Sequence, residues 1–321
     1  MTKFSKTIGV DISKLHLDIY TLPNNKHKRF TNNDKGINSL LKCINQDFCQ
    51  GQKFLMLVEP TGDYGWLLQQ RILLNDDHIT FSQVDAAKIR NFAKSMGYLV
   101  KTDKLDAQII AEYGIRMDTK PMIKRSQRSE ELAELVKRRR QLVDDLAREK
   151  NRLEKARIRA DKNTLASIKE HSDFLTARIN KIDIEINEAI LCDAELKEVH
   201  DLLINIQGVG KVTASVLIAE LPELGKIGNA EISSLVGVAP GNRDSGQMQG
   251  ERHIYGGRMS VRCALYMSVI TAMRHNDKIK EFYHRLRSNG KKPKVALVAC
   301  MRKLIIIMNA TIRNYYLEKN A

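Results

Sequence analysis

The sequence has no uninterrupted apolar run of about 18 residues, the length that marks a bilayer-spanning helix. Its first residues, Met1 to Lys6, lead straight into a strand-like segment without the apolar region of a signal peptide. Together these absences give the expectation of a soluble, cytoplasmic chain. Paired cysteines are missing too: Cys43, Cys49, Cys192, Cys263 and Cys300 are odd in number, scattered and never spaced as CxxC. They read as reduced thiols, and their spacing speaks against zinc. Acidic residues are in deficit, 38 against 53 lysines and arginines, so the net charge is +15. Such a balance favours a polyanionic partner, with nucleic acid first and an anionic membrane surface as its competitor.

At 321 residues the chain is long enough for two or three units, each with its own core. In the first third, Thr7–Ile12 and Leu15–Leu22 are β-rich segments separated by Ser13-Lys14, the pattern of a hairpin, and Lys28–Thr31 adds a third strand. A helix follows, capped by Asn33 or Asp34, with Ile37, Leu40, Leu41 and Ile44 on one face. Phe54–Val58 reads as a buried strand stopped at Glu59-Pro60-Thr61-Gly62. Trp66–Leu74 predicts a helix, Ile79–Val84 a strand, Ala86–Ser95 a helix, and a last helix runs from about Thr102 to Arg116. This alternation predicts an α/β domain over residues 1–125, a mixed sheet flanked by helices on the ribonuclease-H-like plan.

From Ser129 to about Asp161, Leu132, Leu135, Leu142, Leu146, Leu153 and Ala156 form a near-heptad stripe interrupted by Arg139 and Glu149. A second stripe, Leu175, Ile179, Ile182, Ile186 and Ala189, follows a polar break. Residues 126–196 are therefore expected to form a helical coiled-coil segment, an antiparallel hairpin or a pairing surface for another subunit. Within it Lys137-Arg138-Arg139-Arg140 is either a phosphate contact or a solvated helix face. Residues 197–321 are expected to be mainly helical. There Ile206-Gln207-Gly208-Val209-Gly210-Lys211 has the shape of a helix-hairpin-helix motif, whose glycines permit a tight turn and whose second helix offers amides to a phosphate. Glycines in such a turn also serve packing alone.

Asp11 lies inside the first strand pattern, where a charge is costly unless something offsets it. Glu59 ends the strand expected beside it, and Asp103 and Asp106 are three apart on the first turn of the last helix. Four carboxylates would then face one spot. Two such charges about 4 Å apart repel by roughly 4 kcal/mol at an effective dielectric near 20, so the cluster makes sense around cations. Magnesium or manganese suits an all-oxygen set, and metal ions held this way activate an attacking oxygen and stabilise a leaving one in phosphodiester displacement. For Asp103 and Asp106 a second reading stands, complementing the helix dipole. Further on, Asp244-Ser245-Gly246 is an ordinary loop by itself, but Arg243, Arg252 and Arg258 nearby are suited to hold a phosphate while a hydroxyl attacks.

Gly9-Val10-Asp11-Ile12-Ser13-Lys14, Val58-Glu59-Pro60-Thr61-Gly62, Lys101-Thr102-Asp103-Lys104-Leu105-Asp106-Ala107, the Gly208-Val209-Gly210 turn and Ala239-Pro240 through Arg243-Asp244-Ser245-Gly246 resemble the DEDD transposases of bacterial insertion sequences. That group is number one hundred and ten in the insertion-sequence naming and includes Piv-type DNA invertases. The resemblance covers nearly the whole chain. It implies a RuvC-like domain, a coiled coil and a transposase domain. It also implies Asp11, Glu59, Asp103 and Asp106 as metal ligands and Ser245 as a nucleophile forming a phosphoserine link to DNA. A non-coding bridge RNA that pairs with donor and target DNA is implied as well, and so is a homo-oligomer, dimer or tetramer, acting on the bacterial nucleoid. Nothing in composition or spacing points to the RNA. Three functions compete: serine-mediated strand exchange by a transposase or invertase, a junction nuclease in which the carboxylates activate water, and a non-catalytic DNA-binding protein. If Ser245 is not the nucleophile, Tyr255 is the obvious substitute.

Overall fold

A computed structural model describes residues 4, 6–47, 53–60, 62–75, 78–98, 102–159, 161–241, 250 and 252–320. The chain divides into two compact units, Met1–Lys124 and Arg125–Ala321.

In the first unit, strands β1 (Thr7–Ile12), β2 (His16–Leu22), β3 (Lys26–Thr31), β4 (Phe54–Val58) and β5 (Ile79–Gln83) form one mixed sheet of order β3-β2-β1-β4-β5. The first three pair antiparallel, as expected for a hairpin and its extension, while β4 runs parallel to β1 and β5 parallel to β4. The strand period of two divides β1 cleanly. Ile8, Val10 and Ile12 join Phe54, Met56 and Val58 on one face, under helices α1 (Asp34–Asp47) and α2 (Trp66–Asn75). Leu57 lies on the other face with residues of α3 (Ala86–Ser95) and α4 (Asp103–Arg116). β4 is buried along its whole length, as a strand covered on both faces must be.

Two glycines set how closely α4 lies on the sheet. A Cβ on Gly9 would fall 2.2 Å from the Ala107 carbonyl oxygen and 2.3 Å from the Ala111 nitrogen. One on Gly114 would fall 2.6 Å from a Thr7 methyl. At Gly9 strand and helix therefore meet backbone to backbone, which only glycine permits, and at Gly114 the helix backbone rests on side chains of the sheet.

Among the described residues the second unit is helical apart from loops and a short ribbon of β6 (Pro240–Gly241) and β7 (His253–Ile254). Helices α5 (Gln127–Arg159) and α6 (Lys162–Leu191) pack as a hairpin along the two apolar stripes, with Leu132, Val136 and Leu142 in one core with Leu175, Ile179, Ile182 and Ile186. The two interruptions in the first stripe are matched by polar partners: Arg139 grips Asp183, and the buried Glu149 sits between Arg152 and His171. The basic run turns to intramolecular partners, with Lys137 on Glu134 and Arg140 on Glu220. Of its two readings, these contacts favour the helix face.

The same core continues through α7 (Ala194–Ile204), α8 (Lys211–Glu220), α9 (Asn229–Val236), α10 (Met259–His275), α11 (Asp277–Ser288) and α12 (Pro293–Lys319). By length and composition α12 is apolar enough to cross a bilayer, although no uninterrupted run marks it in the sequence. Its apolar face is occupied: Leu304, Ile305 and Met308 are fully buried against neighbouring helices, the environment of a core helix.

Candidate functional site

The sheet brings two of the predicted carboxylates side by side. Val10 of β1 pairs with Val58 of β4, so Asp11 and Glu59, one residue further on, stand next to each other at the C-terminal ends of parallel strands. Asp11 shares its face of β1 with Thr7 and Gly9, and the close approach at Gly9 brings α4 over it. The first turn of α4 holds Asp103 and Asp106 as the sequence predicts, with the Thr102 hydroxyl capping the Leu105 amide at 3.2 Å.

The consequence is electrostatic. The Asp11 carboxyl is pushed up from its ordinary 3.8 to about 6, by burial first and then by the charges of Asp106, Asp103, Asp18 and Glu59 in that order. The other three predicted acids thus all act on Asp11.

Asp18 is a fifth acid that sequence reasoning missed. It lies opposite Asp11 in the β1–β2 register and is only 3 % exposed. Like charges directly opposite on a sheet repel, and the structure supplies hydrogen-bonding partners for Asp18, one of them an arginine. His27 Nε2 lies 2.8 Å away, and Arg29 reaches it from β3 at 2.9–3.0 Å. The same guanidinium donates to Asp103 Oδ2 at 2.7 Å, so Arg29 clamps the first turn of α4 to the sheet. The signal was available: an aspartate within His16–Leu22 is as costly as Asp11 within Thr7–Ile12.

The donor set is all oxygen and its mutual repulsion calls for positive charge, both of which fit a hard divalent cation. Among the described residues, however, no three carboxylate, imidazole or thiol groups close around a common point. Asp103 is turned to Arg29, and sharing an ion with Asp11 and Asp106 requires its carboxylate to swing. Asp11, Glu59, Asp103 and Asp106 remain the candidates for such an ion, and their described arrangement does not by itself form its site.

In the second unit, Gly208 has φ +98°, and a Cβ there would fall 2.5 Å from Ala272, so packing against α10 accounts for it. Gly210 differs: it caps α8, a Cβ there would meet open space, and the exposed Lys211 follows it at the helix start. These two offer amides and charge to an anion. Arg258 has internal partners, donating through both terminal nitrogens to Glu223 at 2.6 and 2.7 Å and to the Glu220 carbonyl at 2.8 Å. Its expected role as a phosphate ligand therefore competes with an ion pair. Arg252 is exposed before β7. Arg243 and Ser245 lie outside the described residues. Before and after them in the chain, Gly241 pairs with His253 and Pro240 with Ile254. Tyr255 is 76 % exposed there, its ring lying over Gly241.

Residues 8–156 match a family model described as a transposase of the DEDD, IS110 type, and residues 200–284 match one described as the transposase IS116/IS110/IS902 family. The chain is 31 % identical to the pilin gene-inverting protein of Moraxella bovis over 316 residues, 96 % of each chain. Its identity to the pilin gene-inverting protein of Moraxella lacunata is the same over the same span.

Proposed function

Because the chain belongs to the IS116/IS110/IS902 transposase family, and is therefore a DNA recombinase, we propose that it cuts and rejoins DNA with Ser245 as nucleophile and a carboxylate-held divalent cation as its electrostatic partner. The observation that carries this reading is the set of acids brought together around Asp11, whose carboxyl is raised to about 6 by burial and by these neighbours. A negatively charged centre repels DNA phosphates unless a cation reverses its sign.

Magnesium or manganese, when bound, supplies Lewis-acid stabilisation of the charge that develops on phosphate oxygens. The chain's own residues do the rest. Ser245 Oγ forms a bond to phosphorus as the bond to the leaving sugar oxygen breaks, the serine proton passes to a base or water, and the sugar hydroxyl takes up a proton. The phosphoserine ester keeps the energy of the broken bond, so a second hydroxyl can reverse the step and rejoin strands without an external energy source. Arg243 and Arg252 hold the phosphate, while Gly210 and Lys211 grip a backbone phosphate in helix-hairpin-helix fashion, with Gly208 shaping the turn.

We read the first unit as ribonuclease-H-like and RuvC-like, which its strand order and its acids at the C-terminal ends of β1 and β4 support. Domain limits of 1–125, 126–196 and 197–321 follow from the same reading, as do a homo-oligomer joined through the coiled coil, a bridge RNA that selects donor and target DNA, and action on the nucleoid in the cytoplasm.

A second reading is site-specific inversion, favoured by the likeness to gene-inverting proteins across almost the full length of both chains. One experiment addresses these points together. The protein is purified with its nucleic acid, the RNA is sequenced, and recombination is followed on a supercoiled plasmid carrying paired sites. Ser245→Ala and Asp11→Asn are expected to abolish recombination with nucleic-acid binding retained, and wild type to leave a protein–DNA adduct on a denaturing gel. Recombination by Ser245→Ala at the wild-type rate without an adduct refutes the nucleophile assignment. Hydrolysed ends select the junction nuclease, and activity that survives both chelation and Asp106→Asn selects a non-catalytic role for the acids. A discrete co-purified RNA supports guided transposition, and inversion of an RNA-free plasmid supports the invertase.

A further inference from the structure

A small cavity opens at the same edge of the sheet as Asp11 but on the opposite face. It holds about 120 Å³ and is lined by Ile12, Phe81, Glu59, Trp66, Gln69 and Gln83 among others. Ile12 and Phe81 belong to the core beneath α1 and α2, whereas Asp11 faces α4. The pocket therefore lies across the sheet edge from the acidic centre, and Glu59 borders both.

Resting on the reading that the acidic centre acts on DNA, we propose that this cavity receives one unstacked nucleobase of the strand being cut, the base next to the phosphate at the acidic centre. Three features point to a heterocycle. The first is size, since a ligand of drug dimensions needs roughly 300 Å³ or more, whereas this space suits a single ring system. The second is Trp66, the one tryptophan of the chain, which starts α2 and remains 53 % exposed at the cavity. A half-exposed indole at the start of a helix is the kind of side chain on which any base can stack. The third is the pair of primary amides, Gln69 one helical turn after Trp66 and Gln83 at the end of β5. Each amide carries both donor and acceptor, the complement of a base edge, where a carboxylate or ammonium would impose one polarity. Gly65 adds to the fit: a methyl there would press on Ile12 Cδ1 at 3.2 Å and narrow the cavity wall.

Location gives the proposal its purpose. A phosphodiester must lie within reach of Glu59 to be activated, and a neighbouring base has either to remain stacked in the duplex or to swing out. Enzymes working on single-stranded or opened DNA hold extruded bases between aromatic faces and polar side chains. A pocket sharing Glu59 fixes the register of the strand, so that one phosphate rather than its neighbour meets the carboxylates.

The single tryptophan makes the test direct, because all indole emission comes from Trp66. Full-length protein is titrated with a single-stranded oligodeoxynucleotide carrying the cleavage site, while Trp66 emission and the anisotropy of a label on the DNA are recorded together. Quenching of Trp66 that saturates with binding and disappears when one base next to the cleaved phosphate is made abasic supports the pocket. Trp66→Ala is expected to weaken the intact strand roughly 5- to 100-fold, the usual worth of base–aromatic stacking, and to leave the abasic strand unchanged. Gln69→Leu and Gln83→Leu are expected to reduce discrimination among bases at that position while quenching persists. Trp66→Phe, which keeps a ring, retains most of the affinity and guards against a folding defect. Binding and cleavage with no quenching, or quenching indifferent to the abasic position, overturns the pocket and leaves the recombinase reading intact. Quenching by the matching oligoribonucleotide alone overturns the DNA assignment in favour of RNA. No binding of DNA at all overturns both readings.

Discussion

Replacing Asp11 with asparagine tests the electrostatic argument without any need for the reaction. In the folded chain the Asp11 carboxyl titrates near 6, against an ordinary 3.8, because burial and four neighbouring acids oppose its charge. The folded state therefore binds the proton more tightly than the unfolded state. Between pH 3.8 and 6 the unfolded chain gives up this proton first, so the contribution of Asp11 to stability declines as pH rises through that window and is level above it. At about 1.4 kcal/mol per pH unit, and discounted because solvent screens a carboxyl that is only partly buried, the shift amounts to roughly 1–2 kcal/mol held against ionised Asp11 at neutral pH without metal. Asp11→Asn removes the charge and keeps the shape. In chelator at pH 8 the variant should be more stable than wild type by roughly 1–2 kcal/mol, which moves the melting of a unit of this size by about 5 °C. The advantage should shrink as pH falls and vanish near pH 4. With magnesium the order should narrow or reverse, since saturating an ion site at about 100 times its Kd adds roughly 2.7 kcal/mol to wild type alone. Calorimetric melting of both proteins over a pH series, with and without magnesium, measures each of these quantities. A variant no more stable than wild type at pH 8, or an advantage that does not change with pH, refutes the reasoning.

Three further outcomes follow from other contacts. Gly9→Ala drives a methyl into the Ala107 carbonyl and the Ala111 amide, so it should destabilise the first unit by several kcal/mol and lower the magnesium affinity with it; denaturant melts with and without magnesium read both effects. Arg258→Ala leaves Glu223 half-buried without its two-pronged partner and should cost roughly 3 kcal/mol, whereas Arg252→Ala should leave stability nearly unchanged and weaken DNA binding. Burial pushes the Cys300 thiol to about 11, so alkylation at neutral pH should modify the exposed Cys192 and Cys263 and spare Cys300 until the protein unfolds, as peptide mass spectrometry will show.

Much of this was legible in the chain because it rests on local pattern. Phe54–Val58 is apolar throughout and stops at Pro60, so its burial and its end both follow from composition. The threefold spacing of Asp103 and Asp106 after a threonine cap fixes their shared face. Asp11 declared itself by being a charge inside a strand. Asp18 carries the same mark, yet its meaning depends on the pairing of β1 with β2 and on Arg29, eleven residues later on the third strand. No spacing rule encodes a pairing of that kind. Lys137 to Arg140 show the same limit, since Asp183 and Glu220 are distant in sequence. The cavity beside Glu59 was invisible for a related reason: Trp66, Gln69 and Gln83 come together only when β5 lies next to β4.

The seat of α4 at Gly9 and Gly114 works as a mechanical stop. At Gly9 its spacing is set by main-chain atoms in contact, which cannot be recompressed, while at Gly114 the neighbours are the Thr7 methyl and the side chains of Leu55 and Leu57. Substitutions among the surrounding apolar residues can therefore loosen the unit and lower its melting point while Asp11 and the first turn of α4 stay in step. Durability and chemistry are thereby separable properties of this unit, and a variant selected for one carries no automatic penalty in the other.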